Sequence, residues 1–441
     1  MRRYLEGVRY SQVIAFAIVG LICIFLIPLA ARSTLGAIGL GGLIGLVVFV
    51  AVLGAERAST ALMVAAFFMA PMTNFGLVKR PFTFATALFF FAFVLVLPKL
   101  LHRPLRLPKP FLVGAVLFSA MGFVSIPLAP HPISGASFVL IGIIGVLCIP
   151  VAIAWMGPTY RQMWAMAVAF GLGSAVSGLY GLTQHQYRNS GLTYHPVVLA
   201  YTALLSIAFV PFLLALKVRG RWLVVVPIVA VALVSAWTSG SRTDLLAIAA
   251  LAVIVPTLQR SLWGGLAVGV VAAVILPIVV TYDPAGNSTS ALNRLFGAGG
   301  GSASDDTRIG TIKTGLKLIA QSPLFGNGYD TDTTYVIHNI YLQVLEAEGI
   351  IGMIGMIMVF GTFLLALRRT RGVERALGYP ALAVVMVGFV MPYLGDHYIA
   401  FALGLSMVSV LRVEGGRDPV AEQAKELERS LAQPPQLAHT T

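Results

Sequence analysis

Charge is scarce in this sequence, and acid scarcest of all. Charged residues make up 11% of the 441, with only 17 Asp and Glu among them, whereas a soluble domain carries about 25%. A surface so poor in charge excludes a soluble globular enzyme. Cysteine is nearly missing too. Cys23 and Cys148 both lie inside apolar runs, which excludes a disulfide scaffold, and no Cys/His spacing has the form of a zinc site. The glycine-rich stretch GAGGGSASDD (297–306) carries no GK[ST], so it is no phosphate-cradling P-loop.

What is present is hydrocarbon. Apolar residues reach 58%, and the 30 Lys and Arg leave a net charge of +13. The basic residues sit in short breaks between apolar runs, which reads as a topological signal facing anionic lipid and excludes a nucleic-acid patch. A helix needs about 20 apolar residues to cross the hydrocarbon core, and these runs are too continuous for barrel strands. Spans are expected near 11–31, 36–54, 58–73, 83–98, 111–128, 136–156, 161–182, 196–216, 222–237, 243–257, 261–281, 340–367, 376–393 and 397–412. The fold class is therefore all-α, a polytopic transmembrane helix bundle of about 12–14 spans with one long extracytoplasmic helical loop. The apolar part of the opening segment, Ser11 to Ala31, exceeds the ~7–15 residues of a signal peptide and reads as an uncleaved first span.

Placing the N-terminus in the cytoplasm puts 17 basic residues in cytoplasmic breaks, against five in short outer ones: Arg32, Lys79, Arg80, Arg188 and Arg242. That bias places both ends on the cytoplasmic side of a plasma (inner) membrane. The organisation then reads as an N-terminal bundle (1–281), an extracytoplasmic loop with short helices (282–338), C-terminal spans (339–412) and a cytoplasmic tail (413–441). The loop contains a helical segment, TRIGTIKTGLKLIA (307–320), stopped by Ser322-Pro323. Long ordered loops are uncommon unless functional, so a site or lid is expected there. In the tail, a short helix near 419–432 competes with disorder.

The outer basic residues run against the charge bias and each needs a reason. Arg32, Lys79 and Arg80 fall at span ends, where long side chains reach the headgroups. Arg188 lies in QHQYRNSGLTYHPVVLA (184–200), before a span that begins at the proline. Arg242 lies in TSGSRTDLLA (238–247), a tight turn between two short spans. An arginine sunk there needs an anionic partner: a ligand, or internally Asp244 or Asp396. His338 stands where the long loop meets the span YVIHNIYLQVLEAEGIIG (335–352). Asn339 fits the N-cap, and a helix N-terminus favours the neutral imidazole that a general base requires. Against this stands a loop histidine without a role. Glu346 and Glu348 fall at the outer interface if the hydrocarbon section is 350–367. Asp396-His397 is a second, weaker place for proton chemistry.

Four motifs together resemble a known family. They are R-x-S-G-x-x-x-H-P (Arg188 to Pro196), S-G-S-R (239–242), T-R-I-G-T-I-K-T-G-L-K-L-I-A-Q-S-P-L-F-G-N-G (307–328) and H-N-I-Y-L-Q-V-L-E-A-E-G-I-I-G (338–352). In order and sidedness they resemble the O-antigen ligase and polymerase superfamily, membrane glycosyltransferases of the GT-C type. One departure is Val197, where the family usually has asparagine.

The resemblance implies transfer of a glycan from an undecaprenyl-diphosphate-linked donor to an acceptor hydroxyl on the outer side of the membrane, with no metal or other cofactor. It implies Arg188 and Arg242 on the diphosphate, assisted by Arg308, with His338 as the catalytic base. Asn339, Tyr341, Glu348 and His195 are read as supporting residues. The implied partners are a lipid-linked oligosaccharide, a glycan, lipid or protein acceptor and membrane lipids, with no nucleic acid. A polymerase shares fold and donor with a ligase and differs in acceptor. A transporter of a small anionic solute is the alternative of another class, although the charges cluster at the outer edge and no inverted repeat is evident.

Overall fold

The computed structural model describes residues 45, 48–74, 83–184, 188–261, 291, 294, 301–329, 337–391 and 396–414. The expected spans at 11–31 and 261–281, most of that at 36–54, the tail helix near 419–432, and His185, Arg32, Lys79 and Arg80 lie outside those residues. Within them the protein is an all-α polytopic helix bundle without strands. Among the described residues seven helices are long and apolar enough to cross a membrane, and two more apolar helices, Phe84–Leu100 and His397–Val413, are shorter.

The chain divides into two compact units. The smaller, Met1–Met63 with Leu88–Arg103, is held by Ser59 Oγ donating to the Ala92 carbonyl at 2.7 Å and by an exposed Lys99–Glu56 ion pair at 2.6 Å. The larger unit, Val64–Ala87 with Pro104–Thr441, carries the helices that matter for function. In chain order we label them α1 (Lys109–Ser125), α2 (Pro132–Ile143), α3 (Ile149–Met156), α4 (Tyr160–Thr183), α5 (Pro196–Ala215), α6 (Arg221–Thr238), α7 (Arg242–Gln259), α8 (Gly301–Gln321), α9 (Ile340–Phe363), α10 (Gly372–Ala376), α11 (Tyr379–Val387) and α12 (His397–Glu414).

Local sequence explains where these helices begin. Thr159 and Gln162 form a capping box at the start of α4, the Thr159 N–H donating to Gln162 Oε1 and the Gln162 N–H to Thr159 Oγ1. This satisfies two of the donors that a helix start leaves open. Pro196 opens α5, where its missing N–H has no helical partner to lose, and His195 Nδ1 accepts from the Val197 N–H at 3.2 Å.

α5 is the central pillar. Along its most apolar window 72% of residues are buried, against 28% in α6 and 22% in α7. α4, α6, α7, α10 and α11 all pack against it. The outer helices turn bulky apolar residues outward instead, among them Val116, Leu223 and Val253, the faces that a lipid environment would cover. α9 lies along α1 at close range. A Cβ on Gly114 would come within 2.8 Å of the Gly355 carbonyl oxygen, so small residues at this crossing let two backbones approach. Phe111 and Phe363 seal one end of it edge to face.

A charged knot closes one end of the bundle. Glu374 in α10 is buried, accepts from Tyr160 Oη and pairs with Arg412 at 3.4 Å, while Arg412 also lies over the Tyr160 ring and donates to the Pro158 carbonyl. Tyr160 is the first residue of the 24-residue α4. At about 1.5 Å per residue, the far end of that helix is roughly 36 Å away. The candidate site lies there.

Candidate active site

Two connections at the far end of α4 carry the first arginines. The segment 188–195 is stitched down by Asn189, whose backbone N–H donates to the Thr238 carbonyl and whose Nδ2 donates to the Gly178 carbonyl and to Thr238 Oγ1, each at 3.1 Å. The Leu192 N–H donates to Ser177 Oγ at 2.9 Å. So fixed, Arg188 donates from Nε to the Ser239 carbonyl at 2.7 Å. That carbonyl belongs to the turn joining α6 to α7, where Ser239, Gly240 and Ser241 are buried and Gly240 takes φ +71°.

The turn is a focus for guanidinium groups. Arg188 holds one of its carbonyls, and Arg294 Nη1 holds the next, that of Gly240, at 3.0 Å. Arg242, at the end of the turn, grips the carboxylate of Asp305 in α8 through both terminal nitrogens, Nη1 reaching Oδ2 at 2.9 Å, and Nη1 also touches the Arg294 carbonyl at 3.3 Å. Arg308, one helical turn beyond Asp305, acts electrostatically on Asp305, Asp244 and Tyr201. The Arg242 hydrogen bond holds the Asp305 carboxyl below the usual aspartate range, helped by the charges of Arg308 and Arg294.

This corrects both internal partners expected for Arg242. Asp244 accepts instead from Ser241 Oγ, and Asp396 accepts from Tyr194 Oη at 2.8 Å and Tyr398 Oη at 3.2 Å. Among the described residues, the acid that Arg242 engages is Asp305, 63 positions away. α8 also begins at Gly301 rather than 307, so 301–306, expected as a flexible stretch, is helical and presents Asp305.

His338 is reached from the other side. Asn339 caps α9, its Oδ1 accepting from the Tyr341 and Leu342 N–H groups at 3.0 and 3.1 Å. The Ile340 N–H donates to the Gly388 carbonyl and Tyr341 Oη to the Val385 carbonyl, which fixes the half-buried His338 beside the end of α11. Two residues further, the Val390 carbonyl accepts from Tyr201 Oη, the hydroxyl on which Arg308 and Asp244 act.

α9 is not one continuous helix. Gly349 has φ +69° and ψ −169°, a conformation essentially restricted to glycine. The segment 323–328 fills the break. The Asn327 and Gly328 N–H groups donate to the Glu346 and Ala347 carbonyls at 2.9 and 3.0 Å, and the Ile350 N–H donates to the Pro323 carbonyl at 2.9 Å. Glu346 and Glu348, beside the break, are buried in protein. Glu348 Oε1 accepts from Tyr329 Oη at 2.7 Å, and its Oε2 has no hydrogen-bond partner among the described residues.

The structure thus brings Arg188 and Arg242 to one turn, carries Arg308 three residues beyond Asp305 on α8, and fixes His338 and Asn339 at the start of α9. Glu348 lies deeper, against Tyr329 and the small Gly122 and Gly352. His195 is exposed and serves its own helix start. Sequence reasoning missed Arg294 and Asp305. A signal for the second existed, since Asp305-Asp306 is an acidic pair in a chain with 17 acids. Among the described residues no three His, Cys, Asp or Glu side chains gather as a metal site would require.

No curated protein matches the chain. A family does: residues 204–357, which run from within α5 through the arginine turn, α8 and His338 into α9, match the O-antigen ligase family, a match over about a third of the chain that supports placing it in the O-antigen ligase superfamily of membrane glycosyltransferases.

Proposed function

We propose that this membrane protein transfers a glycan from a polyprenyl-diphosphate donor to an acceptor hydroxyl on the outer side of the plasma membrane. Arg188 and Arg242 bind the diphosphate, Arg308 assists, and His338 removes the acceptor proton. Tyr341 and Asn339 position the start of α9, Glu348 supports it from the break beside Tyr329, and His195 positions the start of α5. The observation carrying this reading is the convergence of guanidinium groups on the Ser239–Arg242 turn, with Arg242 already engaging a forked anion through two nitrogens. Guanidinium forks chelate phosphate oxygens bidentately and remain charged at any physiological pH. Aimed at a departing diphosphate, they neutralise charge as it develops, and removing one such group typically slows a reaction about 10²–10³-fold. A positioned base adds about 10²–10⁴. The Lys/Arg bias of the loops supports an extracytoplasmic site with both termini in the cytoplasm.

The test is glycan transfer in proteoliposomes with a lipid-linked oligosaccharide donor. Arg188→Ala and Arg242→Ala should each lose at least about 10²-fold in rate, with lysine at either position failing to restore it. Full transfer by both alanine variants would refute the proposal. Ligase and polymerase differ in what a deletion strain accumulates: long unattached lipid-linked chains mark a ligase, and loss of ladders with single units still attached marks a polymerase.

A further inference from the structure

The Asp305 carboxylate sits where the proposed function needs a phosphate. It is planar, anionic and forked, it takes both terminal nitrogens of Arg242, and Arg294 and Arg308 add their fields to it. The Arg242 side chain is 18% exposed and that of Asp305 45%, so the anion approaches a sheltered cation from the open side. The helix that carries it is open to solvent there. Asp306, Thr307, Ile309 and Gly310 are all exposed, and Gly315 is the buried residue among those of α8 whose side chains are described.

We propose that Asp305 is a built-in phosphate mimic, a latch that closes α8 over the diphosphate site and is displaced by the donor. The inference rests on the arginine turn being that site. The chemistry favours exchange in one direction. A diphosphate diester brings a negative charge on each phosphorus to a cluster of several guanidinium groups, which a single carboxylate leaves under-neutralised. Asp305 and Arg308 lie three residues apart on one face of α8. When the carboxylate leaves Arg242, the same face still offers Arg308 to the incoming phosphates. An empty enzyme is thereby kept shut, and a competing anion with a single charge gains less by opening it.

The apparent dissociation constant of a ligand rises as the fraction of open protein falls. If the latch is closed nine-tenths of the time, releasing it tightens binding about tenfold. The probe is inorganic pyrophosphate, titrated calorimetrically into the full-length protein in nanodiscs. Asp305→Asn should bind pyrophosphate about tenfold more tightly than the wild type, and Asp306→Asn, whose side chain is exposed, should bind as the wild type does. Equal or weaker binding by Asp305→Asn would overturn the latch. A second measurement needs no variant: pyrophosphate should speed hydrogen exchange of the amides of α8 in the wild-type protein, and slowed or unchanged exchange overturns the proposal. Arg242→Ala separates the two failures. If it binds pyrophosphate as the wild type does, the diphosphate site itself is misplaced and the latch falls with it. If it loses binding while Asp305→Asn gains none, the latch alone is wrong.

Discussion

Replacing Gly349 by alanine should break the protein at one identifiable joint. Two physical effects add there. The backbone at φ +69° and ψ −169° is closed to a residue with a Cβ at about 1–3 kcal/mol. That Cβ would also meet the Leu324 carbonyl and lie 2.6 Å from the Phe325 nitrogen, backbone atoms that cannot rotate away as a side chain would. Relief requires 323–328 to withdraw from α9, weakening the three hydrogen bonds made by Asn327, Gly328 and Ile350, each worth about 0.5–1.5 kcal/mol. The sum is roughly 3–5 kcal/mol of destabilisation if only part of those bonds is lost. Gly361 on the same helix is the control. A Cβ there meets nothing within 4 Å, and alanine in a helix interior is favoured over glycine by about 0.5–1 kcal/mol. Thermal unfolding of the two variants in one detergent, beside glycan transfer, is the assay. Gly349→Ala should melt well below the wild type and lose transfer, while Gly361→Ala melts at or above it. Coincident melting curves would refute the claim that the break is built around a missing side chain.

Asn339→Ala removes the acceptor for two N–H groups at the start of α9, which should cost about 1 kcal/mol and reduce transfer by disturbing His338; unchanged turnover would separate the cap from the chemistry. Tyr329→Phe takes a hydrogen bond from the buried Glu348 and should cost about 1–3 kcal/mol in a melting experiment, whereas Glu348→Leu in the same background should recover part of that loss. Burial and the neighbouring Glu348 charge hold the Tyr329 phenol well above its ordinary value of 10.0. Its contribution to stability is thus complete below that value and lost only as pH rises through the raised one, and a melting temperature that fell between neutral pH and pH 9 because of Tyr329 would contradict this. For Asp305 the sign is opposite. Its carboxyl is held below its ordinary 3.8, so its pairing with Arg242 is intact above that value and weakens as pH falls through the lowered one, seen as faster exchange of α8 only in strong acid.

Much of this arrangement is legible in the sequence because it follows local rules. Asn339 before an apolar run, Thr159 three residues ahead of Gln162, and proline at the head of α5 each mark a helix start through chemistry that neighbours in sequence complete. What escapes reading depends on distant partners. The string Gly-Ser-Ala-Ser-Asp-Asp before Thr307 has the composition of a loop, yet 301–306 is helical in a segment whose Asp305 is tied to Arg242, 63 residues earlier. The two acids expected for Arg242, the adjacent Asp244 and the more distant Asp396, are each taken by hydroxyl donors. The break at Gly349 is invisible for the same reason. The pattern Leu-Glu-Ala-Glu-Gly-Ile-Ile (345–351) reads as the polar end of a continuous span, and the carbonyls and N–H groups that make the break tolerable come from 323–328.

Those groups also decide how the large loop can move. Within an apolar bundle an open backbone carbonyl or N–H is costly, and irregular backbone persists only where protein satisfies it. The loop segment 323–328 satisfies the Glu346 and Ala347 carbonyls and the Ile350 N–H, so it is the missing turn of α9 and cannot leave without exposing that helix. α8 is joined to it directly, with Asn327 Nδ2 donating to the Leu318 carbonyl at 2.8 Å. Its C-terminal end is thus anchored through backbone contacts inside the bundle, while toward its N-terminal end Asp305, itself 45% exposed, pairs with the arginine turn through Arg242. An ion pair whose carboxylate is open to water is screened by solvent, and it yields to an anion of higher charge more readily than three enclosed backbone hydrogen bonds yield to anything. Opening should therefore swing the Asp305 end of α8 about a fixed joint at Ser322–Asn327, uncovering Arg242 while leaving Glu348 and the capped start of α9 in place.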